Sequence, residues 1–151
     1  MSTAFWREFW GNPARRSQPF VSNAGSDHRA EDIAASGGNL TVPALRGGRV
    51  AAHGQQSQVG HWFSIDVGGG RFDIYCHVFA GRRPPVGSVV GVGDEITRMA
   101  TFGEVTGSAW SGPHIHFVIS DHEAGATRNY NAFDPRPIIA ATLAASPSTP
   151  N

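Results

Sequence analysis

Between Phe20 and Ala141 the chain is a succession of short segments rich in apolar and β-branched residues, each closed off by glycine, proline or a polar pair. Segments of this length and composition predict short strands joined by turns. Trp62-Phe63-Ser64-Ile65-Asp66-Val67 and Phe72-Asp73-Ile74-Tyr75-Cys76-His77-Val78 flank Gly68-Gly69-Gly70, which predicts a hairpin. Thr41–Ala44 and Arg49–Ala52 flank Gly47-Gly48 and predict another. Val89–Ile96 predicts a third strand pair, or one bulged strand around its Gly and Asp residues. At the N-terminus Phe5, Trp6, Phe9 and Trp10 share one face of a short helical turn, expected to pack on the domain rather than to serve as a binding arm. Asp134-Pro135-Arg136-Pro137 predicts a turn, and Ile138–Ala145 a short helix. The pattern divides the chain into an N-terminal aromatic segment (1–19), one mainly β domain (20–141) and a C-terminal tail (142–151) expected to be disordered. The fold class expected is a single antiparallel β domain with a central groove and little helix.

Composition narrows the chemistry. A chain of 151 residues is one domain by length and large enough to fold without a disulfide scaffold. Twelve basic and twelve acidic residues balance, so no electrostatic argument favours nucleic acid or an anionic membrane. Cys76 is the only cysteine, which excludes a cysteine-rich zinc finger; a metal site here has to use histidine and carboxylate. No apolar run approaches the length of a membrane span. The first ten residues lack the basic-then-apolar layout of a secretory signal, so synthesis in the cytoplasm without that route is expected.

The chemistry-bearing stretch is Ser111-Gly112-Pro113-His114-Ile115-His116-Phe117-Val118-Ile119. On a strand, His114 and His116 point to one face while Ile115, Phe117 and Ile119 form an apolar stripe on the other, a division suited to lining a cleft. On the strand Phe72–Phe79 the same alternation groups Phe72, Ile74, Cys76 and Val78, and places His77 with Asp73 and Tyr75 opposite that stripe. His28 and Asp32, four apart, share a face of either a helix or a strand, and local propensity leans to a helical turn capped by Ser26. His61 shares a strand face with Phe63, Ile65 and Val67 and reads as a partly buried, hydrogen-bonded residue, while His53, in the Gly54-Gln55-Gln56 loop, and His122, in a polar turn after Ser120, lack a second ligand at useful spacing. Taken together, His28, Asp32 and His116 would offer two nitrogens and a carboxylate oxygen and leave a fourth position open, the layout of a catalytic zinc site.

In that order, His28 to Asp32, Tyr75-Cys76-His77 and Gly112-Pro113-His114-Ile115-His116-Phe117 resemble the lysostaphin-type zinc metallopeptidases of bacterial cell walls. Val42-Pro43-Ala44, Gly48-Arg49-Val50, Val92-Gly93-Asp94 and Asp134-Pro135 are similar to that family's framework, so the resemblance spans about residues 20 to 140. It implies one Zn²⁺ per chain held by His28, Asp32 and His116. His114 is implied as the general base that takes a proton from the attacking water, and His77 as the group that steadies the oxyanion or relays the proton. It also implies an extended rather than helical segment at 28–32. Ala30 departs from the family's glycine, and the loop from Thr106-Gly107 to Ser111-Gly112 is one residue longer and carries Trp110.

The expected function is a zinc endopeptidase acting on cross-links or stem peptides of peptidoglycan. Without a secretory signal, delivery by a holin or a virion is expected, which suits a phage lysis enzyme. The rival expectations are a non-catalytic wall-binding module of the same fold and a phage tail component whose metal is structural.

Overall fold

The computed structural model describes residues 3–22, 28–127 and 129–145. The elements in order are α1 (Thr3–Gly11), β1 (Arg16–Gln18), β2 (Glu31–Ala34), β3 (Thr41–Pro43), β4 (Gly48–Gln56), β5 (Gly60–Gly68), β6 (Arg71–Cys76), β7 (Val89–Val90), β8 (Glu95–Arg98), β9 (His114–Ser120), β10 (Ala132–Phe133) and α2 (Pro135–Ala145). Seven strands form one antiparallel sheet in the order β1-β2-β9-β6-β5-β4-β7, with β10 pairing to β9 outside that path. β3 and β8 form a separate two-stranded sheet. The described residues are thus mainly β with two α-helices, in keeping with the expected fold class.

Alternation sorts the central strands into two buried faces. Ile115, Phe117 and Ile119 of β9, Tyr75 of β6 and Phe63 and Ile65 of β5 join Trp6, Phe9 and Trp10 of α1 and Ile139 of α2 in the main core. Aromatic packing is specific there: the Trp10 and Phe117 rings lie 4.8 Å apart edge-on, and Phe63 stacks on Tyr75 at 5.2 Å. The polar tips inside this core are satisfied. Trp10 Nε1 donates to the Pro43 carbonyl at 2.9 Å, Trp6 Nε1 to that of Leu45 at 3.3 Å, and the Tyr75 hydroxyl accepts the Leu45 amide at 3.0 Å. On the other face, Trp62, Ile74, Cys76 and Val118 join Ala30, Val59, Ala126 and Ala132 in a smaller core beneath the histidines.

Several local expectations are corrected. Thr41–Ala44 and Arg49–Ala52 do not pair; β3 pairs β8, while β4 pairs β5 and β7. Leu45 between them is fully buried, and its amide is held by the Tyr75 hydroxyl, so the chain crosses from one sheet to the other instead of reversing. The strand at 89–96 is likewise two strands in different sheets. The Gly68–Gly70 hairpin forms as expected, with Trp62 opposite Cys76 and Ile65 opposite Asp73. α2 starts at Pro135, three residues before the expected helix, because proline suits a first helical turn, and the Asp134 side chain accepts the Arg136 amide. Residues 142–145, assigned to a disordered tail, are its last turn; 146–151 lie outside the described residues. The aromatic segment is part of the fold itself: Trp6, Phe9 and Trp10 are 0–2 % exposed.

Truncating Trp10 therefore opens a cavity at the centre of the main core. Trp10→Ala should destabilise the protein by about 3–5 kcal/mol, read as a lowered midpoint in chemical denaturation with an unchanged slope.

Candidate metal centre

β2 lies beside β9 with Asp32 opposite His116, and Ala34 opposite His114. Directly opposed residues project to the same side, so Asp32 and His116 meet over the smaller core. The His28–Asp32 segment is extended from Glu31 onward, against the helical lean of its local sequence and in keeping with the family resemblance; Ser26, the expected cap, lies outside the described residues. Pairing with β9 and β1 supplies the strand hydrogen bonds that override a weak local preference. His28 is carried just ahead of β2, and its Nε2 stands 3.3 Å from Asp32 Oδ2. His116 Nδ1 stands 3.0 Å from Asp32 Oδ1. One ligand atom from each of His28, Asp32 and His116 lies within 4.8 Å of the others.

His114 Nε2 sits 3.5 Å from Asp32 Oδ2, at the edge of this triad. His77 reaches it by a different route from the one alternation predicts. β6 ends at Cys76; Tyr75 faces the main core, and Ile74 and Cys76 face the site, so continued alternation would bury His77 with Tyr75. Instead His77 takes φ +62°, the one described non-glycine residue with positive φ, and its ring comes 4.7 Å from that of His114 and 5.6 Å from that of His116. A bulky residue in the left-handed region costs of order 1–3 kcal/mol and persists only where neighbours enforce it. Here they do: His77 N–H donates to Val59 O at 2.9 Å, and its carbonyl accepts the Ala100 amide at 2.9 Å. The apolar stripe assigned to Phe72, Ile74, Cys76 and Val78 is corrected accordingly. Ile74 and Cys76 line the floor under the site, and after the reversal at residue 77 Val78 enters the main core.

Backbone carbonyls orient three of the four imidazoles. His28 Nδ1 donates to Pro19 O at 2.9 Å, His114 Nδ1 to Gly112 O at 2.8 Å, and His77 Nδ1 to Thr106 O. A carbonyl only accepts, so each Nδ1 carries a proton and Nε2 is the nitrogen left for other partners; those of His28 and His114 face the Asp32 carboxylate. His77 Nε2 is buried and has no partner within the described protein. Burial pushes the His77 ring down to about 4, with the Thr106 bond only partly opposing, so it is neutral at physiological pH. Burial alone would raise Asp32; bonds from His116 and His28 overcome it and hold the carboxyl well below the usual carboxylate range. Burial lowers His116 against the pull of Asp32, whereas at His28 Asp32 outweighs burial and raises the ring. Cys76, opposite His116 in register, is no ligand: burial pushes its thiol far up, and it stays protonated.

The Thr106 carbonyl depends on a close approach of two backbones. At Gly60, φ +66°, a Cβ would stand 2.5 Å from the Thr106 carbonyl carbon; at Gly107, φ +88°, it would stand 2.4 Å from Gln58 O. These glycines let the loop at 106–109 lie on the turn at 57–60, where Ser108 N–H bonds Ser57 O and Ala109 N–H bonds Gln58 O. Glu104 ties the loop's start. It accepts from Arg98 and from the Thr101 amide, and the Arg98 guanidinium holds its carboxyl down to about 2.

A cleft of about 180 Å³ opens beside His28 and His116, lined also by Gln18, Gln56, Gln58, Val59, Ala109 and Val118. The glutamines and the three orienting carbonyls were not legible as site components, since each belongs to a segment without a chemical signature. His53 is on β4, not in the loop expected for it, and bonds Pro84 O at 2.6 Å; His122 stacks on Tyr130 at 3.8 Å. His61 is half-exposed. None of the three belongs to the triad, and the hydrogen bond expected of His61 is not made at its Nδ1, which is buried without a partner among the described residues.

A triad able to hold a metal at two neighbouring strands suits a metallopeptidase, and comparison with known families identifies the class. Residues 26–135 match the model of Peptidase family M23, and the chain belongs to that family. Its fold is similar to the catalytic domain of the antimicrobial peptidase lysostaphin from Staphylococcus simulans, with TM-score 0.66 and 18 % identity over 92 % of this chain and 98 % of that one. It is also similar to the catalytic domain of the prophage-encoded M23 protein EnpA from Enterococcus faecalis, with TM-score 0.64 and 22 % identity over 83 % and 92 %. A third, LytU, gives TM-score 0.64 and 25 % identity over 84 % and 85 %. A search of curated protein sequences found no significant match.

Gly107→Ala is expected to strain the backbone and push the loop off Gln58, costing about 1–3 kcal/mol. In imidazole ¹H–¹⁵N spectra the His77 Nδ1 proton should lose its protection from exchange.

Proposed function

We propose that this M23 peptidase is a zinc endopeptidase that hydrolyses cross-links or stem peptides of bacterial peptidoglycan, and that it serves phage lysis. The observation that carries the catalytic reading is the convergence of His28 Nε2, the Asp32 carboxylate and His116 Nδ1 beside the imidazoles of His114, whose Nε2 stands 3.5 Å from Asp32, and His77, whose buried Nε2 has no partner within the described protein. Two nitrogens and one oxygen with room for a fourth partner suit zinc in a catalytic rather than a closed structural site. The donor set fits, because the carbonyls of Pro19 and Gly112 and the buried lone pair of His77 leave these groups ready for a cation or a reacting oxygen. When bound, zinc supplies Lewis acidity toward the scissile carbonyl and lowers the pKa of water to about 7.

This chain's own residues supply the proton handling. His114, fixed by Gly112, accepts a proton at Nε2 and returns it to the departing amine, which leaves poorly unless protonated. His77, held neutral, offers its Nε2 for relay beside His114, and in its protonated form it steadies negative charge on the carbonyl oxygen. The cleft lined by Gln18, Gln56 and Gln58 offers amide groups to an extended peptide beside the triad. The wall substrate is supported by the fold likeness to lysostaphin, an antimicrobial peptidase, and the phage role by that to prophage-encoded EnpA. Delivery to the wall through a holin or within a virion completes the proposal.

His116→Ala should abolish both zinc retention, read by metal analysis, and release of peptide fragments from purified walls. His114→Ala should keep zinc yet lose about 10²–10⁴ in turnover. Full turnover in either variant would remove the assigned role. Mass analysis of fragments from defined peptidoglycans identifies the bond cut; zinc retention with no hydrolysis of any chemotype would favour the structural tail component instead.

A further inference from the structure

Glu31 is a buried carboxylate next to the triad that the mechanism above does not use. It precedes Asp32 on β2, faces away from it by alternation, and is 2 % exposed. A carboxylate buried on a core face is costly unless its lone pairs are taken. Its partners are informative. Glu31 Oε2 accepts from Arg16 at 3.0 Å, and Arg16 also donates to the Trp10 carbonyl at 2.6 Å. Glu31 Oε1 accepts the backbone N–H of Phe20 at 2.9 Å. Phe20 follows Pro19, whose carbonyl takes the His28 Nδ1 proton, and the Val21 amide returns to the His28 carbonyl at 2.8 Å. The strap at 19–21 is therefore tied to the sheet by Glu31 on one side and holds the His28 ring on the other.

We infer that Glu31 is a positioning residue for the metal centre: through Phe20 and Pro19 it fixes the tautomer and orientation in which His28 presents Nε2. This rests on the reading of His28 as a metal ligand. Partners that orient a ligating imidazole raise metal affinity because the unbound ring need not be reoriented or change tautomer on binding. The carboxylate is needed as an acceptor for the strap, so a shape-matched apolar replacement keeps the core but frees His28.

The test compares zinc affinity, by chelator competition on the full chain, for the wild type, Glu31→Gln, the double variant Arg16→Met/Glu31→Leu, and the control Glu8→Gln, which loosens the neighbouring Arg15 pair without touching the strap. The double variant should bind zinc about tenfold more weakly, with the thermal midpoint of the metal-free protein unchanged or raised. Glu31→Gln keeps an acceptor for the Phe20 amide and should stay within about threefold of wild type. The control should not change. In metal-free wild type, imidazole ¹H–¹⁵N spectra should show the His28 Nδ1 proton protected from exchange by its bond to Pro19 O, and in the double variant that protection should be lost. Zinc affinity within about twofold of wild type in the double variant, or an equal loss in the control, overturns the proposal. Should the double variant not fold, a wild-type His28 without a fixed Nδ1 proton overturns it by itself. Wild-type protein that binds no zinc overturns the ligand reading as well, whereas normal wild-type binding with an unaffected double variant overturns only the role of Glu31.

Discussion

The site follows from the register of three antiparallel strands, and that register is held from the opposite side of the sheet. β9 buries Ile115, Phe117 and Ile119 against Trp10, Tyr75 and the helices, and alternation then leaves His114 and His116 on the far face. Sliding β9 by a single residue would exchange its two faces, placing imidazoles in the aromatic core and Phe117 in the cleft. Burying each large apolar side chain contributes about 1.5–3 kcal/mol, more than the roughly 1 kcal/mol of a typical polar contact within the site. The N-terminal helix, which packs on the face of β9 opposite the histidines, is therefore part of what aligns them.

Strands and irregular segments divide the work of building the centre. β2 and β9 place Asp32 and His116 opposite one another to within hydrogen-bond reach. Strand geometry does not decide which ring nitrogen carries a proton, and carbonyls from non-strand backbone do that: Pro19 for His28, Gly112 for His114, Thr106 for His77. A buried carboxylate surrounded by imidazoles is stabilised in its ionised form by their N–H groups and by any cation the cluster holds. The same burial that depresses His77 keeps its lone pair free for chemistry.

Much of this was legible along the chain. The face of the His114–His116 strand and the Gly68–Gly70 hairpin came directly from alternation and turn chemistry. The triad's members were named by residue type and spacing, and by resemblance to the family to which the chain belongs. Failures occurred where tertiary partners outvoted local preference. Thr41–Pro43 and Gly48–Gln56 look like neighbours across a glycine turn, yet they belong to separate sheets because Leu45 between them is drawn into the core. His28–Asp32 has a spacing that suits helix or strand and a local lean to helix, but from Glu31 onward it is a strand, since β9 offers it a ladder there. His77 reaches the site only through a left-handed backbone that no periodicity reveals.

The sequence by itself determined which residues can ligate a cation and which face of β9 they occupy, because side-chain chemistry and the two-residue period of a strand are local properties of the chain. Only the tertiary structure decided that positions 28, 32 and 116 converge, that His77 turns toward them, and that Pro19, Gly112 and Thr106 set their tautomers. Those outcomes depend on strand pairing and loop contacts between segments far apart in the chain, where the burial of one segment's apolar face fixes the geometry of another's polar groups.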